Sequence, residues 1–216
     1  MWHCRAVQPD AWIVIRSLQA FYTSNVPFPD ELAPTGVRVL GYQQEWADEA
    51  HELTVRLRAL VPDAVVVEHI GSTSIPGMSA KDCLDMMIVV ADLDTTTAGT
   101  SLTEVGYRRR PEPWNNDEPA QGRLWPKMVF APPEGGRAVN IHVRLAGVPT
   151  TRVALLFRDF LRASPGHART WAHFKIAAAE AADDLAAYGA IKEPAWRLLM
   201  DLAEQWSTET GWSPDA

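Results

Sequence analysis

Two apolar runs separated by a short turn-rich segment constrain the fold of this chain most strongly. The first run, 64–70, is rich in β-branched residues and ends at Gly71, which predicts a buried strand. The second run, 83–90, predicts another strand, in which Asp85 lies in the middle of an apolar sequence. The centre of the fold is therefore expected to be a sheet that carries an acidic side chain.

Helices are expected to flank this pair of strands. Residues 43–60 have apolar side chains at alternating steps of four and three, which is typical of an amphipathic helix, and Pro62 ends it. A further helix is predicted at 94–105. Two more strands are predicted at 124–131 and 137–144, joined by a glycine-rich hairpin loop.

The pattern changes after Pro149, and only helices are predicted from there, at 151–163, 165–187 and 193–207. The fold class is therefore α/β (α+β), with a helical C-terminal half. The expected organisation is an N-terminal arm at 1–36, one domain at 37–207 divided into an α/β core (37–148) and a helical part (149–207), and a tail at 208–216. The cleft between the two halves is a natural place for a ligand.

The charge balance and the cysteine count exclude several classes of protein. Twenty basic against 27 acidic residues give a net charge of −7, which argues against general nucleic-acid binding. The two cysteines, Cys4 and Cys83, form neither a disulfide framework nor a Cys-based zinc finger. No apolar run approaches the roughly 20 residues that span a bilayer, and no secretory pattern opens the sequence. We expect a cytoplasmic protein with a small-molecule ligand and no membrane partner.

The segment 68–85 holds the residues best suited to chemistry. Gly71 allows a ligand to approach the backbone, and Ser72 and Thr73 add hydroxyl and N–H groups of the kind that hold phosphate. Lys81 contributes a positive charge. Asp85 then follows on the next strand, where a carboxylate among apolar residues needs a partner, a metal ion or the mouth of a cleft.

The motif His69-Ile-Gly-Ser-Thr-Ser-Ile-Pro-Gly77, followed by Lys81 and Asp85, resembles the GrpB family of the nucleotidyltransferase superfamily, which has a DNA polymerase β-like fold. Further segments resemble that family and follow in the same order: Val39–Trp46, Asn140–Val143, Leu156–Arg162 and Lys175. Together they extend the resemblance over about 37–206. The resemblance implies a small mixed sheet with flanking helices and a nucleotide or phosphorylated ligand at Gly71-Ser72.

The resemblance also implies a magnesium cofactor, for which the chain has an altered set of ligands. Active members of the superfamily hold two Mg²⁺ ions with Asp-x-Asp or Asp-x-Glu on the second strand and a third acid on a later strand. Here Met87 stands at the second position, and the later strand presents Asn140 and His142. Because Mg²⁺ prefers hard oxygen ligands, the one retained carboxylate, Asp85, does not support ordinary two-metal transfer.

The altered site leaves three interpretations open. In the first, His142 acts as a general base beside Asp85. In the second, His69, Asp85 and His142 hold a transition metal. In the third, both histidines are structural and hydrogen-bond the loops around the turn.

Basic residues are candidates for contacts with an anionic ligand in the cleft: Lys81, Lys127, Arg144, Arg158 and Lys175. The alternative for each is a solvated surface charge, and for Arg158 a pair with Asp159 worth under about 1 kcal/mol. The run Arg108–Arg110 is expected to be a solvated stretch.

Functions of different classes follow from these observations. The first is binding of a nucleotide or phosphorylated small molecule at the Gly71-Ser72 loop, with transfer of a nucleotidyl group to a small acceptor as its enzymatic form. The second is a non-catalytic ligand-binding or interaction module on a degenerate nucleotidyltransferase scaffold, which Met87 favours. The third is a metal-dependent enzyme built on His69, Asp85 and His142.

Overall fold

A five-stranded mixed sheet forms the centre of residues 36–214, the part of the chain that the computed structural model describes. The strands among these residues are β1 Val66–Ile70, β2 Leu84–Val90, β3 Arg108–Arg109, β4 Asp117–Ala120, β5 Arg123–Pro126, β6 Met128–Ala131 and β7 Val139–Leu145. The central sheet has the order β1-β2-β7-β6-β3, in which β2 and β7 are parallel and the other neighbours antiparallel. Strands β4 and β5 form a separate hairpin.

Helices pack on both faces of the central sheet. Helices α1 Glu45–Leu60 and α2 Ala98–Glu104 lie on one face, and the chain ends in α3 Pro149–Ala163, α4 Pro165–Ala181 and α5 Leu185–Thr210. The predicted fold class, a small mixed sheet with flanking helices and a helical C-terminal half, is confirmed.

The face of the sheet under α1 forms the main hydrophobic core. Trp46, Leu53 and Leu57 of α1 pack with Met86 and Ile88 of β2, and each of these five side chains is at most 4% exposed. Burying a side chain of this size stabilises the fold by roughly 1.5–3 kcal/mol. This face therefore supplies much of the free energy that holds the sheet together.

The helical half is fixed to the loop that follows β1. Ile75 and Met78 of this loop are buried in a second apolar cluster with Phe160 and other side chains of α3, α4 and α5. Arg162 of α3 donates hydrogen bonds from Nε and Nη2 to the backbone carbonyl of Ser74, at 3.0 and 2.8 Å. The loop is thus held by the sheet on one side and by helices on the other.

Two sequence predictions in the middle of the chain need correction. The strand predicted at 124–131 is two strands, because the chain leaves β4 at Lys127 and joins β7 instead. The run Arg108–Arg110 is not a solvated stretch, since it begins in β3 and ends with Arg110 only 7% exposed. A two-residue strand has no alternating pattern long enough to read from the sequence.

The boundary between the last two helices lies at 182–184 and not at 188–192, where the sequence predicted it. The Asp184 side chain accepts a hydrogen bond of 2.8 Å from the backbone N–H of Ala187 and so caps α5. Pro194, next to the predicted start of the last helix at 193, lies inside α5. Its cost of about 3 kcal/mol in a helix interior is offset by buried side chains on either side of it along α5.

The predicted tail at 208–216 is helical as far as Thr210, and Trp212 packs on the helical half while its Nε1 donates to Asp159 at 3.2 Å. The predicted N-terminal arm, 1–36, lies outside the described residues except for Gly36. None of the helices between residues 36 and 214 combines the length and the apolar character that crossing a membrane requires.

Candidate functional site

The turn after β1 brings the backbone directly against Asp85. Gly71 has φ +70°, and a Cβ atom at this position would lie 2.5 Å from Asp85 Oδ2. The register between β1 and β2 sets this approach, because Ile70 lies opposite Asp85. Glycine is therefore required at position 71 both by the backbone conformation and by the neighbouring carboxylate.

Asp85 begins a row of polar side chains on one face of β2 and β7. Asn140 lies opposite Asp85, and His142 and Arg144 follow on the same face at every second residue. Asn140 Nδ2 donates to Asp85 Oδ1 at 3.3 Å, and His142 Nε2 lies 3.7 Å from the same oxygen. The Asp85 side chain remains about one-third exposed, so a ligand could reach the carboxylate.

The charge states of this row follow from its burial. Burial raises the pKa of Asp85, but the interactions with His142 and Asn140 outweigh it, so the net shift is downward. Burial lowers the pKa of His142, and Asp85 opposes this shift only in part. At neutral pH the pair is therefore a carboxylate beside a neutral imidazole. Within residues 36–214, the buried Nδ1 of His142 has no hydrogen-bond partner.

Met87, at the position where the resemblance implies a second acid, is fully buried. It packs with Ile70, Val89 and Leu155, and its sulfur accepts a hydrogen bond from Arg144 Nη1 at 3.5 Å. The site thus presents a thioether and a guanidinium where a second Mg²⁺ ion would need oxygen ligands.

A small cavity of about 180 Å³ opens on one side of Asp85. It contains the predicted ligand contacts Ser72, Thr73, Lys81, Lys175 and Asp85 in its walls, together with Ala80, Cys83, Asn140, Tyr188 and Lys192. Three lysines from three different parts of the chain therefore meet beside the Gly71-Ser72 turn.

The lysines of the small cavity disfavour one another's protonated form. Lys175 is 2% exposed, and its Nζ donates to the backbone carbonyl of Ser79. Burial, with a contribution from the nearby Lys192, lowers the pKa of Lys175 to about 7. Burial also lowers the pKa of Lys192, and Lys81 adds to that shift. An anion in this cavity would relieve the repulsion among these lysines.

A larger cavity of about 590 Å³ lies on the other side of Asp85, between the sheet and the helical half, where a cleft was predicted. Aromatic side chains of Phe157, Trp171 and Trp196 form part of its wall, while His142 and Arg144 contribute polar groups. Ser72, Asp85 and Lys192 line both cavities. Asp85 therefore stands where the two cavities meet.

The polar row ends in an ion-pair cluster at the wall of the larger cavity. Arg144 donates from Nε and Nη2 to the two carboxylate oxygens of Glu118, at 3.0 and 3.1 Å. Lys127 Nζ lies 3.7 Å from Glu118 Oε2. Burial raises the pKa of Glu118, but Arg144 and Lys127 outweigh that effect and bring it below its usual value.

His69 does not join the other two candidate metal ligands. It lies opposite Met86, on the α1 side of the sheet, whereas Asp85 and His142 lie on the other side. Its Nε2 is 2.9 Å from Thr73 Oγ1, and burial lowers its pKa to about 4. Among the described residues, no group of three His, Cys, Asp or Glu side chains is placed to hold a metal ion.

Arg158, a predicted ligand contact, lies outside the walls of both cavities. Its Nη1 pairs with Glu68 at 2.5 Å and its Nε with Asp159 at 2.7 Å, and Nη1 also donates to the carbonyl of His69 at 3.3 Å. Its side chain is 11% exposed. These contacts join α3 to β1 and so hold the strand that leads into Gly71.

Sequence reasoning missed Lys192, Tyr188 and Glu118, which line the two cavities. One signal in the sequence points to the first of these. Only four of the 20 basic residues are lysines, and they are Lys81, Lys127, Lys175 and Lys192. Three line the small cavity and the fourth pairs with Glu118, so the scarcity of lysine elsewhere marks the site.

Comparison of the sequence with known proteins identifies the family of the chain. The family described as "GrpB protein" matches residues 36–201. A dephospho-CoA kinase from Mycolicibacterium paratuberculosis is 33% identical over 231 aligned positions, which cover 94% of this chain and 56% of that protein. A UPF0157 protein from Deinococcus radiodurans is 36% identical over 147 positions, which cover 68% of this chain and 71% of that protein. The chain spans about half the length of the dephospho-CoA kinase that it matches.

One solved structure shows the same fold. A crystal structure of the conserved protein GrpB from Enterococcus faecalis superposes with a TM-score of 0.62 at 23% identity, covering 78% of this chain and 99% of that one. The RNA terminal uridylyl transferase Cid1 superposes with a TM-score of 0.35 at 15% identity, covering 59% of this chain and 37% of that one. The first likeness extends over the sheet and the helical half together.

Proposed function

The chain belongs to the GrpB family, and on this premise we propose that it binds a nucleotide or another phosphorylated small molecule beside the Gly71-Ser72 turn. The phosphate occupies the small cavity, and the remainder of the ligand extends past Asp85 into the larger cavity. The convergence of Lys81, Lys175 and Lys192 on the small cavity is the observation that carries this proposal.

The charge balance of the small cavity supports an anionic ligand. Among the described residues, no carboxylate forms a salt bridge with Lys81, Lys175 or Lys192, although the arginines of the site are paired with acids. Unpaired cations near one another are costly to bury, and Lys175 is almost fully buried. A phosphate group would accept hydrogen bonds from all three ammonium groups and from Ser72.

The larger cavity suits the organic part of such a ligand. Its wall combines the rings of Phe157, Trp171 and Trp196 with a few polar groups, which is the usual composition of a small-molecule site. Dephospho-CoA, the compound in the printed name of the kinase relative, contains both a phosphorylated nucleoside and a long organic chain. It belongs among the first ligands to test, together with nucleoside triphosphates.

Asp85 and Ser72 could hold one Mg²⁺ ion delivered with the phosphates, since Mg²⁺ often binds through one carboxylate plus substrate oxygens and water. A bound ion would supply charge neutralisation at the phosphates. Met87 and Arg144 do not fit a second ion, so the two-metal arrangement is not proposed.

Nucleotidyl transfer is the second candidate, favoured by the position of Asp85 between the two cavities and of His142 beside it in the larger one. An acceptor hydroxyl oxygen would form a bond to the α-phosphorus, and the bond to the leaving pyrophosphate would break. His142 would take the hydroxyl proton, and the Asp85 carboxylate would stabilise the resulting imidazolium. The buried Met87 instead favours a module that binds its ligand without this step.

The test is a calorimetric titration with ATP and with dephospho-CoA, each with and without Mg²⁺. We expect Lys175→Met to weaken binding about tenfold or more, because one charge-assisted hydrogen bond is lost. The control is Arg197→Met, which removes an exposed cation of α5 and should leave the affinity unchanged. Equal binding by Lys175→Met and the wild type would overturn the proposal, and Asp85→Ala shows whether the Mg²⁺ dependence comes from this site.

The low pKa of Lys175 gives the same site a pH signature. Because the charged form binds the anion, affinity should be highest below pH 7 and should fall as the pH rises through about 7. Lys175→Arg stays charged over this range and should remove that component of the pH dependence. Identical pH profiles for the two proteins would show that Lys175 does not contact the phosphate.

A further inference from the structure

Two buried cations share the carboxylate of Glu118: Arg144 lines the larger cavity with it, and Lys127 faces the same carboxylate without forming part of the cavity wall. Arg144 is 5% exposed and Lys127 8% exposed, and both pair with Glu118. These three residues carry one more positive than negative charge, and the exposed Asp117 offsets it only in part, since the pKa of Lys127 stays below its usual value. A group with a higher negative charge than one carboxylate would balance it better.

Glu118 reaches this cluster from outside the central sheet. It belongs to the β4–β5 hairpin, whose strands pair with each other and not with the five-stranded sheet. The hairpin turns at Gln121 and Gly122, which have φ values of 51° and 74°. Residues 117–126 are exposed or half-buried, in contrast to β7, from which Arg144 extends. Glu118 thus lies on a peripheral hairpin, whereas Arg144 lies on a strand of the central sheet.

The contacts of Glu118 have the geometry of ligand recognition. Its two oxygens accept in parallel from Arg144 Nε and Nη2, and one of them also faces Lys127. Carboxylates and phosphates of bound molecules use the same two-pronged pairing with arginine. Both Glu118 and Arg144 line the larger cavity, so an occupant of that cavity could reach the same partners.

We propose that Arg144 and Lys127 form a second anion subsite, and that Glu118 occupies it until an oxyanion of the bound molecule takes its place. This inference rests on the proposed function in one respect, since it takes the larger cavity as a ligand cavity. It adds that the molecule in this cavity carries a phosphate or carboxylate of its own, on the opposite side of Asp85 from the lysine cavity.

Pyrophosphate and a protein labelled with ¹³C at the lysine Cε atoms provide a direct test. The chain has four lysines, so four signals report on the site: Lys81 and Lys175 line the small cavity, Lys192 lines both cavities, and Lys127 belongs to the second subsite. In the wild type we expect pyrophosphate to move the three small-cavity signals first. In Glu118→Gln, which keeps the shape but removes the competing charge, the Lys127 signal should move at about tenfold lower pyrophosphate concentration.

Matched variants separate the subsite from general charge effects. Glu52→Gln removes an exposed acid of α1, on the opposite face of the sheet, and it should leave the Lys127 titration as in the wild type. The double variant E118Q/R144Q should lose the gain of E118Q, because the guanidinium that binds the anion is gone. Glu118→Asp should give an intermediate midpoint, since its carboxylate reaches less far.

The outcomes of this experiment are distinct. If the Lys127 signal responds identically in the wild type and Glu118→Gln while the other three signals shift, the second subsite is refuted and the proposed function stands. If none of the four signals moves in either protein, both proposals fail. Three unchanged small-cavity signals in the ligand-free Glu118→Gln protein would show that this variant has folded normally.

Discussion

The two faces of strands β2 and β7 differ in what their side chains do. On the face under α1, Met86, Ile88, Ile141 and Val143 are fully buried in an apolar cluster. On the other face, Asp85, Asn140, His142 and Arg144 alternate with them along the same strands and line cavities. Because the side-chain period of a strand is two, one pair of strands supports both the core and the site. Changes on the two faces should therefore have separable effects.

The largest effect on stability is expected from Ile88→Ala on the apolar face. Removing this fully buried side chain from the α1 cluster should lower the free energy of unfolding by about 3 kcal/mol. Pyrophosphate affinity should change less than about twofold, since Ile88 faces away from both cavities. Chemical denaturation and calorimetry measure the two quantities. A large loss of affinity in the folded variant would show that the two faces are coupled.

Gly71→Ala should affect stability and binding together. The added methyl group meets Asp85 Oδ2 and requires a left-handed backbone conformation, so we expect a loss of about 2 kcal/mol in unfolding free energy. The displaced Asp85 should also weaken ATP binding in the presence of Mg²⁺. Gly77→Ala is the control, because Gly77 has a similar φ but no atom within 4 Å of its added Cβ. Equal binding by the two variants would argue against the proposed role of the Gly71–Asp85 contact.

On the apolar side of the sheet, His69 should make the free energy of unfolding depend on pH. Its pKa falls from 6.5 in the unfolded chain to about 4 in the folded protein, so the unfolded chain binds the extra proton. The stability that this group contributes is complete above pH 6.5 and is lost as the pH falls from 6.5 to about 4. Allowing for partial exposure, the loss amounts to about 2 kcal/mol. Denaturation curves of His69→Gln should be flatter in this window, and an unchanged slope would assign the acid sensitivity to other groups.

The smallest effect on stability is expected from Asn140→Ala on the polar face. Its hydrogen bond to Asp85 is 3.3 Å long, and its loss should cost about 1 kcal/mol or less. The same change should raise the pKa of Asp85, because the amide stabilises the carboxylate. Carbon-detected NMR titration of the Asp85 carboxyl measures this shift. A pKa that stays the same or falls would mean that His142 and Lys81, without Asn140, set the charge state of Asp85.

The apolar face could be predicted from the sequence more completely than the polar one. Helix 43–60 and the strands around Gly71 have clear periodicity, and the structure places them close to where the pattern predicts them. The β4–β5 hairpin has no such pattern, because it includes Pro119 and packs outside the central sheet. Its Glu118 could not be placed near Arg144 without knowledge of how the chain folds back from Lys127.

Long-range placement limited the prediction of the site in the same way. The positions of Ser72, Lys81 and Asp85 follow from one short segment, and the structure places them around one cavity. Lys192 reaches that cavity because α5 starts at Leu185 and continues through Pro194, whereas the sequence predicted a helix that begins only at 193. The sequence predicts neighbouring strands for His69 and His142, which made a shared metal site conceivable. The register places the two side chains on opposite faces of the sheet. Their roles in binding stay predictions until the titrations are made.

The placement of three of the four lysines in the wall of the small cavity has a practical consequence for the study of this protein. Amine-directed reagents, such as those used for cross-linking, surface immobilisation and fluorescent labelling, react with lysine and with the chain's α-amino group. Apart from that terminal amine, they would modify Lys81 and Lys192 first, since Lys127 and Lys175 are more deeply buried. A search for partners by these methods would block the cavity it sets out to probe. Reagents that react with the sixteen arginines would keep the small cavity intact, because its wall, among the residues that the structure describes, contains Asp85 and lysines but no arginine.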